Sequence, residues 1–144
     1  MLKNIPKLIS PELLKVLMEM GHGDEIVIAD GNFPSQSYGQ KVIRLDGLNV
    51  PEILEAVLQF FPLDPYVDYP VAIMELVPGD NVKTPIWDEY KAIIEKSDEV
   101  GNFKKGFENV ERFAFYDRAK EAYAIIATSE AALYANIILK KGLC

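Results

Sequence analysis

The sequence has few of the residues that build metal sites and disulfides. Its 144 residues include one cysteine, Cys144, and one histidine, His22. A single cysteine cannot form an intrachain disulfide, and a zinc site needs several nitrogen or sulfur ligands. The acidic residues do not follow the spacing of an EF-hand calcium loop. We therefore expect no metal cofactor, although a magnesium or calcium site built only from oxygen ligands stays open.

The sequence also lacks the motifs of common cofactor enzymes and serine hydrolases. It contains neither G-x-G-x-x-G nor G-x-x-x-x-G-K-[ST], and it contains no G-x-S-x-G. A serine triad would have to use His22, and no pattern marks a serine as its partner. The sequence thus favours a reaction that proceeds without a cofactor.

Basic residues and long apolar runs are scarce too. Fifteen basic residues against 22 acidic residues give a net charge of −7, and the basic residues are scattered along the chain. This charge argues against a nucleic-acid partner and against an anionic membrane surface, since both bind concentrated basic groups. No apolar run approaches the ~20 residues that span a bilayer, and residues 1–6 do not resemble the start of a signal peptide. We expect a cytoplasmic protein.

Helix and strand patterns alternate along the chain. Apolar residues at helical spacing predict helices within 10–21, 49–62, 84–94 and 112–120, with a brief one at 129–133. Short β-branched runs predict strands at 26–29, 41–45, 71–77, 122–128 and 137–139. Segment 97–108 is polar and is expected to be the least structured. The sequence predicts a single domain over residues 1–144, a three-layer α/β/α fold with a largely parallel or mixed sheet.

His22 lies between two glycines, at the turn from the first helix to the first strand. Ser10 is the expected N-cap of that helix, and Gly21 is expected to end it in the left-handed conformation. Asp30 follows the strand at its carboxyl end, where α/β sheets bind ligands. His22 is at the opposite end, so a shared site needs a short strand or a neighbouring subunit. The same pattern also suits an ordinary turn histidine.

The remaining polar inventory suits a neutral, polyhydroxylated ligand. It consists of loop aspartates, several tyrosines, Arg112 and Asn136. Carboxylates, amides and guanidinium groups satisfy hydroxyls in pairs, while aromatic side chains pack on the apolar face of a ring. A reaction at such a site would need proton transfers, which a histidine performs near neutral pH.

Six segments together resemble the family of L-fucose mutarotases, relatives of D-ribose pyranase. They are residues 8–17, 20–25, 32–34, 46–48, 112–119 and 134–142. The resemblance extends over nearly the whole chain apart from segment 97–108. It implies an isomerase that interconverts the α and β anomers of L-fucose without a cofactor. It also implies a symmetric homo-oligomer, a decamer, with sites near the subunit boundaries.

The resemblance also implies roles for particular residues. His22 is the implied proton donor. Tyr116 is a second catalytic position, for which helix packing is the alternative. The implied substrate-binding residues are Asp30, Asp64, Met74, Arg112, Tyr134 and Asn136. A solvated loop acid is the alternative for Asp64, and a core strand residue that also touches ligand is the interpretation of Met74.

Two positions depart from the family pattern. Asn32 stands where some members have histidine, and Ala135 replaces the glycine of Tyr-Gly-Asn. A left-handed backbone at Ala135 would cost about 1 kcal/mol or more, so we expect a conformation that alanine tolerates.

The expected mechanism is ring opening and closure assisted by acid and base groups. The C6 methyl of L-fucose calls for an apolar wall, for which Phe33, Met74 and Trp87 are candidates, although Trp87 also suits the core or a subunit interface. A hydroxymethyl sugar such as galactose also stays open, because a hydrophobic pocket rejects an added hydroxyl only weakly. Two alternatives stay open: pyranose/furanose interconversion of D-ribose, and a sugar-binding assembly without catalysis.

Overall fold

The computed structural model describes residues 1–98 and 100–144, within which it has five helices and six strands. The helices are α1 (Pro11–Glu19), α2 (Ser35–Tyr38), α3 (Val50–Leu58), α4 (Pro85–Ser97) and α5 (Arg112–Glu121). The strands are β1 (Glu25–Ala29), β2 (Val42–Leu45), β3 (Val71–Met74), β4 (Glu108–Val110), β5 (Ala124–Thr128) and β6 (Ile137–Lys140). None of the helices in these described ranges is long and apolar enough to cross a membrane.

The strands form one mixed sheet in the order β2-β5-β1-β6-β3-β4. Five strands are parallel to one another, and β6 runs antiparallel between β1 and β3. We call the two ends of this sheet the carboxyl end and the amino end, after the five parallel strands. Because β6 is reversed, the chain that enters β6 lies at the carboxyl end, beside the residues that leave β1 and β3.

Helices cover both faces of the sheet. Along β1, Ile26 and Ile28 pack into one apolar cluster with α1, α3 and α4, whereas Val27 and Ala29 pack into a second cluster with α2 and α5. Successive residues of a strand point to opposite faces, and β1 is apolar on both because both faces are covered. This arrangement confirms the predicted three-layer α/β/α fold with a mixed sheet.

Residues 129–133 are not helical, and the prediction of a brief helix there is wrong. The backbone N–H of Glu130 donates to Thr128 Oγ1, and the N–H of Ala132 donates to the Glu130 carboxylate. The same carboxylate accepts the N–H of Val50 at the start of α3. Backbone N–H groups in this segment thus donate to side-chain oxygens, whereas in a helix they would donate to backbone carbonyls.

The end of α1 also differs from the prediction. The N-cap is as expected, since Ser10 Oγ accepts the N–H of Leu13 at 3.1 Å. The helix stops at Glu19, however, and the left-handed glycine is Gly23, with φ of 89°, rather than Gly21. The N–H of Gly21 donates instead to Asp24 Oδ2 at 2.7 Å. The turn after α1 is therefore held by a hydrogen bond to the Asp24 side chain and not by a left-handed Gly21.

The sequence patterns missed two short elements and made two strands too long, one of them β5, which begins at Ala124 rather than at residue 122. Strand β4 lies at the end of the segment expected to be least structured, of which residue 99 lies outside the described residues. Helix α2 is a single turn within a loop, and β3 ends at Met74 rather than at residue 77. Strand β4 has three residues and is ordered by its parallel pairing with β3, a long-range contact that local pattern does not encode.

Candidate active site

A cavity of about 180 Å³ opens at the carboxyl end of the sheet. Polar side chains reach it from the chain that leaves β1, from the start of α5 and from the chain that enters β6. These polar residues are Asp30, Asn32, Arg112, Tyr116, Tyr134 and Asn136. Their convergence follows from the topology, because the reversed β6 brings its preceding loop beside the exit of β1. The predicted site residues other than His22 and Asp64 all line this cavity.

Asp30 and Asn136 are joined across this junction. The backbone N–H of Asp30 donates to Asn136 Oδ1 at 2.8 Å, and the Asn136 side chain also hydrogen-bonds with the Asp30 carboxyl. The Asp30 carboxylate accepts the N–H of Asn32 at 3.0 Å. Burial nevertheless raises the pKa of the Asp30 carboxyl above its ordinary value, with a further contribution from the charge of Glu130. The site therefore has a carboxyl group that is poorly hydrated and suited to pairing with a ligand hydroxyl.

Arg112 and Tyr116 lie one helical turn apart at the start of α5. The guanidinium carbon of Arg112 is 5.6 Å from the centre of the Tyr116 ring, and hydrogen bonding with the Tyr116 side chain raises the pKa of Arg112. The Tyr116 ring packs edge-on against Phe33, with 5.4 Å between ring centres. This packing leaves Tyr116 half-buried, with a cation beside it.

Tyr134 adopts an unusual backbone conformation beside the cavity. Its φ is 56°, a left-handed value that costs a residue with a side chain about 1–3 kcal/mol. Ala135 is not left-handed, which confirms that this loop is compatible with alanine there. The Tyr134 hydroxyl accepts the N–H of Val77 at 3.2 Å and donates to Asp80 Oδ2 at 2.6 Å, and this last bond raises the pKa of Tyr134.

One wall of the cavity is apolar. Phe33 and Met74, both expected there, line it, and Val77 and Leu133 extend it. Sequence reasoning missed Val77 and Leu133, because an isolated apolar residue in a loop has no chemistry that marks it as part of a site. The one available signal was the position of Leu133 next to Tyr134, a predicted site residue. Trp87, the third candidate for this wall, does not line the cavity. This α4 residue is partly buried against the core, and its indole Nε1–H donates to the backbone oxygen of Tyr134.

His22 and Asp64 lie at the amino end of the sheet, where they form a pair of their own. His22 Nε2 is 3.0 Å from Asp64 Oδ1. The Asp64 side chain is 5% exposed and the His22 side chain is 42% exposed. Burial acts to raise the pKa of Asp64, but hydrogen bonds from the Tyr66 N–H and from His22 outweigh it and lower this pKa. Because Asp64 is thus an ionised acceptor, Nε2 carries the proton, and Nδ1 is the second reactive nitrogen of the ring.

Backbone contacts hold the turn that carries His22. The N–H of Gly23 donates to the backbone oxygen of Lys141, and the N–H of Lys141 donates to that of Asp24, each at 2.8 Å. The His22 ring lies 5.3 Å from the Tyr66 ring, centre to centre. His22 is therefore presented at the surface by a turn tied to the end of β6, with one nitrogen occupied by Asp64.

Within one chain, the proposed acid and the cavity lie at opposite ends of β1. His22 precedes Glu25 and Asp30 follows Ala29, so all five residues of the strand separate them. Strands rise about 3.3 Å per residue, so β1 separates the two groups by more than the reach of a side chain. The strand is therefore not short enough to bring His22 to its own cavity.

Comparison with known proteins identifies the family. The model of the RbsD / FucU transport protein family matches residues 3–144. Mouse fucose mutarotase is 55% identical over an alignment that covers 98% of this chain and 94% of the mouse protein. The fucose mutarotase of Streptococcus pneumoniae, solved in complex with L-fucose, is 53% identical with a TM-score of 0.92, over 99% of both chains. FucU from Bifidobacterium longum is 58% identical with a TM-score of 0.93, again over 99% of both chains. The chain described here belongs to the RbsD / FucU transport protein family.

Proposed function

We propose that this protein is a fucose mutarotase, an isomerase that interconverts the α and β anomers of L-fucopyranose. The observation that carries the proposal is its 53% identity, over 99% of both chains, to the Streptococcus pneumoniae protein solved with L-fucose. The carboxyl-end cavity supports it independently, because carboxyl, amide and guanidinium groups face an apolar wall there. That combination fits the hydroxyls and the C6 methyl of a deoxy sugar.

The proposed reaction needs two proton transfers and no cofactor. A proton is delivered to the ring oxygen of the sugar and another leaves the anomeric hydroxyl, so the C1–O5 bond breaks and a free aldehyde forms. Rotation about C1–C2 followed by closure on the other face gives the second anomer. The same groups act in reverse on closure, and such assistance accelerates reactions by typically 10²–10⁴-fold.

His22 is the proposed donor to the ring oxygen, acting through Nδ1. Asp64 holds the other nitrogen, so the ring is oriented. Tyr116, with Arg112 beside it, is the proposed group that exchanges the second proton. Asp30 and Asn136 are proposed to bind ring hydroxyls and to keep the sugar from turning with C1.

The proposed complete site requires two copies of the chain. Since β1 separates His22 from its own cavity, the acid is supplied by the amino end of a neighbour, which also brings Asp64 to the sugar. A head-to-tail contact of this kind generates a closed ring when its rotation closes. We propose a homo-oligomer, a decamer, with a mass ten times the 16.2 kDa of the chain. Light scattering that gives the mass of a monomer would contradict it.

The activity is tested by proton NMR saturation transfer between the two anomeric signals of L-fucose. We expect transfer that rises with protein concentration and is absent without protein. Transfer for D-ribose pyranose and furanose forms but not for L-fucose would support the ribose alternative instead. Saturable binding of L-fucose without any transfer would support the sugar-binding assembly.

The two-copy site is tested by complementation. His22→Ala removes the acid and Tyr116→Phe removes the hydroxyl, so each variant alone is expected to be inactive. Co-expression gives mixed rings in which about one quarter of the contacts pair two intact halves. We expect the co-expressed protein to have about one quarter of the wild-type activity. As a control, the two variants are purified separately and mixed without subunit exchange, and this mixture should be inactive. Failure of co-expression to restore activity would show that each chain holds its own complete site.

Two further expectations stay proposals. The proposed compartment is the cytoplasm, which fractionation of cells that express the tagged protein tests. The proposed single domain over residues 1–144 is expected to unfold in one calorimetric transition at a fixed protein concentration. The calorimetric and van't Hoff enthalpies should agree when the fit includes dissociation of the oligomer.

A further inference from the structure

Helix α4 anchors the loop that carries the sugar-binding residues before β6. Trp87 Nε1–H donates to the backbone oxygen of Tyr134 at 2.8 Å, and the Tyr90 hydroxyl donates to the backbone oxygen of Ala135 at 2.6 Å. Trp87 and Tyr90 are three residues apart, so they lie on the same face of the helix. Two neighbouring side chains of α4 thus hold two successive carbonyls of the loop.

The loop needs such anchors because of its backbone. Tyr134 is left-handed at φ of 56°, a conformation that persists in a non-glycine residue only when its surroundings impose it. The residue after Ala135 is Asn136, whose Oδ1 accepts the N–H of Asp30. A shift of this loop would therefore move Tyr134 and Asn136 and would release the backbone of Asp30 as well.

The Tyr90 anchor is suited to a permanent role. Its side chain is fully buried, with 0% exposed, and burial raises its pKa far above the ordinary value of 10.0. The hydroxyl is therefore protonated, and able to donate, at every pH at which the protein is folded. Trp87 has an indole N–H that does not titrate, so neither anchor depends on pH.

We propose that Trp87 and Tyr90 are positioning residues that hold the Tyr134–Asn136 loop in the conformation that binds the sugar. Neither side chain lines the cavity, so their effect passes through the loop. The inference rests on the proposed function, since it assigns the loop to sugar binding. It concerns substrate affinity rather than proton transfer, because His22 and Tyr116 are not part of the loop.

The test compares Tyr90→Phe and Trp87→Phe with wild type. Each variant keeps an aromatic ring and removes one donor. Ser97→Ala is the matched control, because it removes a side-chain hydrogen bond from the far end of the same helix. Saturation transfer gives KM and kcat for L-fucose. Trp87 is the one tryptophan of the sequence, so its fluorescence in Tyr90→Phe and in wild type also gives a Kd for L-fucose that does not depend on kcat.

Loss of one anchoring hydrogen bond is expected to raise KM, and the fluorescence Kd, about fivefold. We expect kcat to change by less than about twofold, because the reacting groups are untouched. An effect on stability alone would lower the active fraction, and hence apparent kcat, without changing KM. If Tyr90→Phe does not fold, Trp87→Phe, whose side chain is only partly buried, carries the test.

Two negative outcomes are distinguishable. An active wild type with unchanged KM in both folded variants would overturn the positioning role and leave the mutarotase proposal standing. A wild type that neither binds L-fucose nor exchanges its anomers would overturn the proposed function, and with it this inference.

Discussion

The two ends of the sheet each hold a buried aspartate, and the pKa values of the two are shifted in opposite directions. Asp30 at the carboxyl end is 9% exposed and its pKa is raised, whereas Asp64 at the amino end is 3% exposed and its pKa is lowered. Burial raises both. At Asp64 hydrogen bonds from the Tyr66 N–H and the His22 ring more than offset it. At Asp30 hydrogen bonds from Asn32, Phe33 and Asn136 do not offset it, and the charge of Glu130 adds to it.

This difference shows that burial does not determine what a carboxyl group can do. Asp64 already has a hydrogen-bonding partner in His22, and we propose that it orients that ring. The hydrogen bonds that Asp30 accepts do not offset its desolvation, so we propose that hydroxyls of a ligand complete its pairing. We therefore propose that the amino end contributes mainly to proton transfer and the carboxyl end mainly to sugar binding.

The largest expected effect separates these two roles by kinetics. His22→Ala should lower kcat by about 100- to 10,000-fold with little change in sugar affinity, because it removes the acid. Asn136→Ala should instead raise KM about tenfold with a smaller change in kcat, because it removes hydrogen bonds made to the bound sugar. Saturation transfer at several fucose concentrations measures both. Equal losses of kcat in the two variants would erase the distinction between the ends.

A second prediction concerns the unfolding free energy of Asp64→Asn and Asp30→Asn as a function of pH. Asp64 has a folded-state pKa below its ordinary value of 3.8, so its stabilisation is present above that pH and is lost as pH falls through the folded value. We expect Asp64→Asn to be less stable than wild type at pH 7, by about 1–3 kcal/mol, and the gap to close in acid.

Asp30 should behave in the opposite way. Its folded-state pKa lies above 3.8, so its cost to stability is absent below that pH and grows as pH rises through the folded value. Asp30→Asn is expected to be more stable than wild type at pH 7 while binding fucose more weakly. Denaturant titrations at fixed protein concentration measure both variants, and shifts of the same sign at pH 7 would contradict the assignment.

The smallest expected effect tests the turn at the amino end. Gly23 has φ of 89°, so Gly23→Ala should cost about 1–2 kcal/mol and should lower kcat by displacing His22. Gly21 is not left-handed, and a Cβ there would meet Asp24 Oδ2 at an ordinary 3.7 Å. Gly21→Ala should therefore change stability by less than about 1 kcal/mol. Thermal unfolding of the two variants side by side checks this ranking.

The sequence predicted the structure correctly where residues close together in the chain determine it. Ser10 caps α1 as expected, and the uninterrupted apolar run before Asp30 is a strand buried on both faces. The brief helix at 129–133 and the left-handed Gly21 were wrong because partners distant in sequence, or a neighbouring carboxylate, take the backbone donors there. Strand β4 was missed because its order comes from pairing with β3.

In the candidate site, too, the sequence predicted the local features and the tertiary structure decided the long-range contacts. Composition and spacing alone established an α/β chain, placed Asp30 at the carboxyl end of a strand and placed His22 in a turn before it, since periodicity and turn residues act over a few positions. Which groups converge was decided by the packed fold. The reversed β6 brings Asn136 to Asp30, the crossing before β3 brings Asp64 to His22, and α4 reaches the Tyr134 loop. These are contacts between residues distant in the chain, and they exist only once the sheet has assembled.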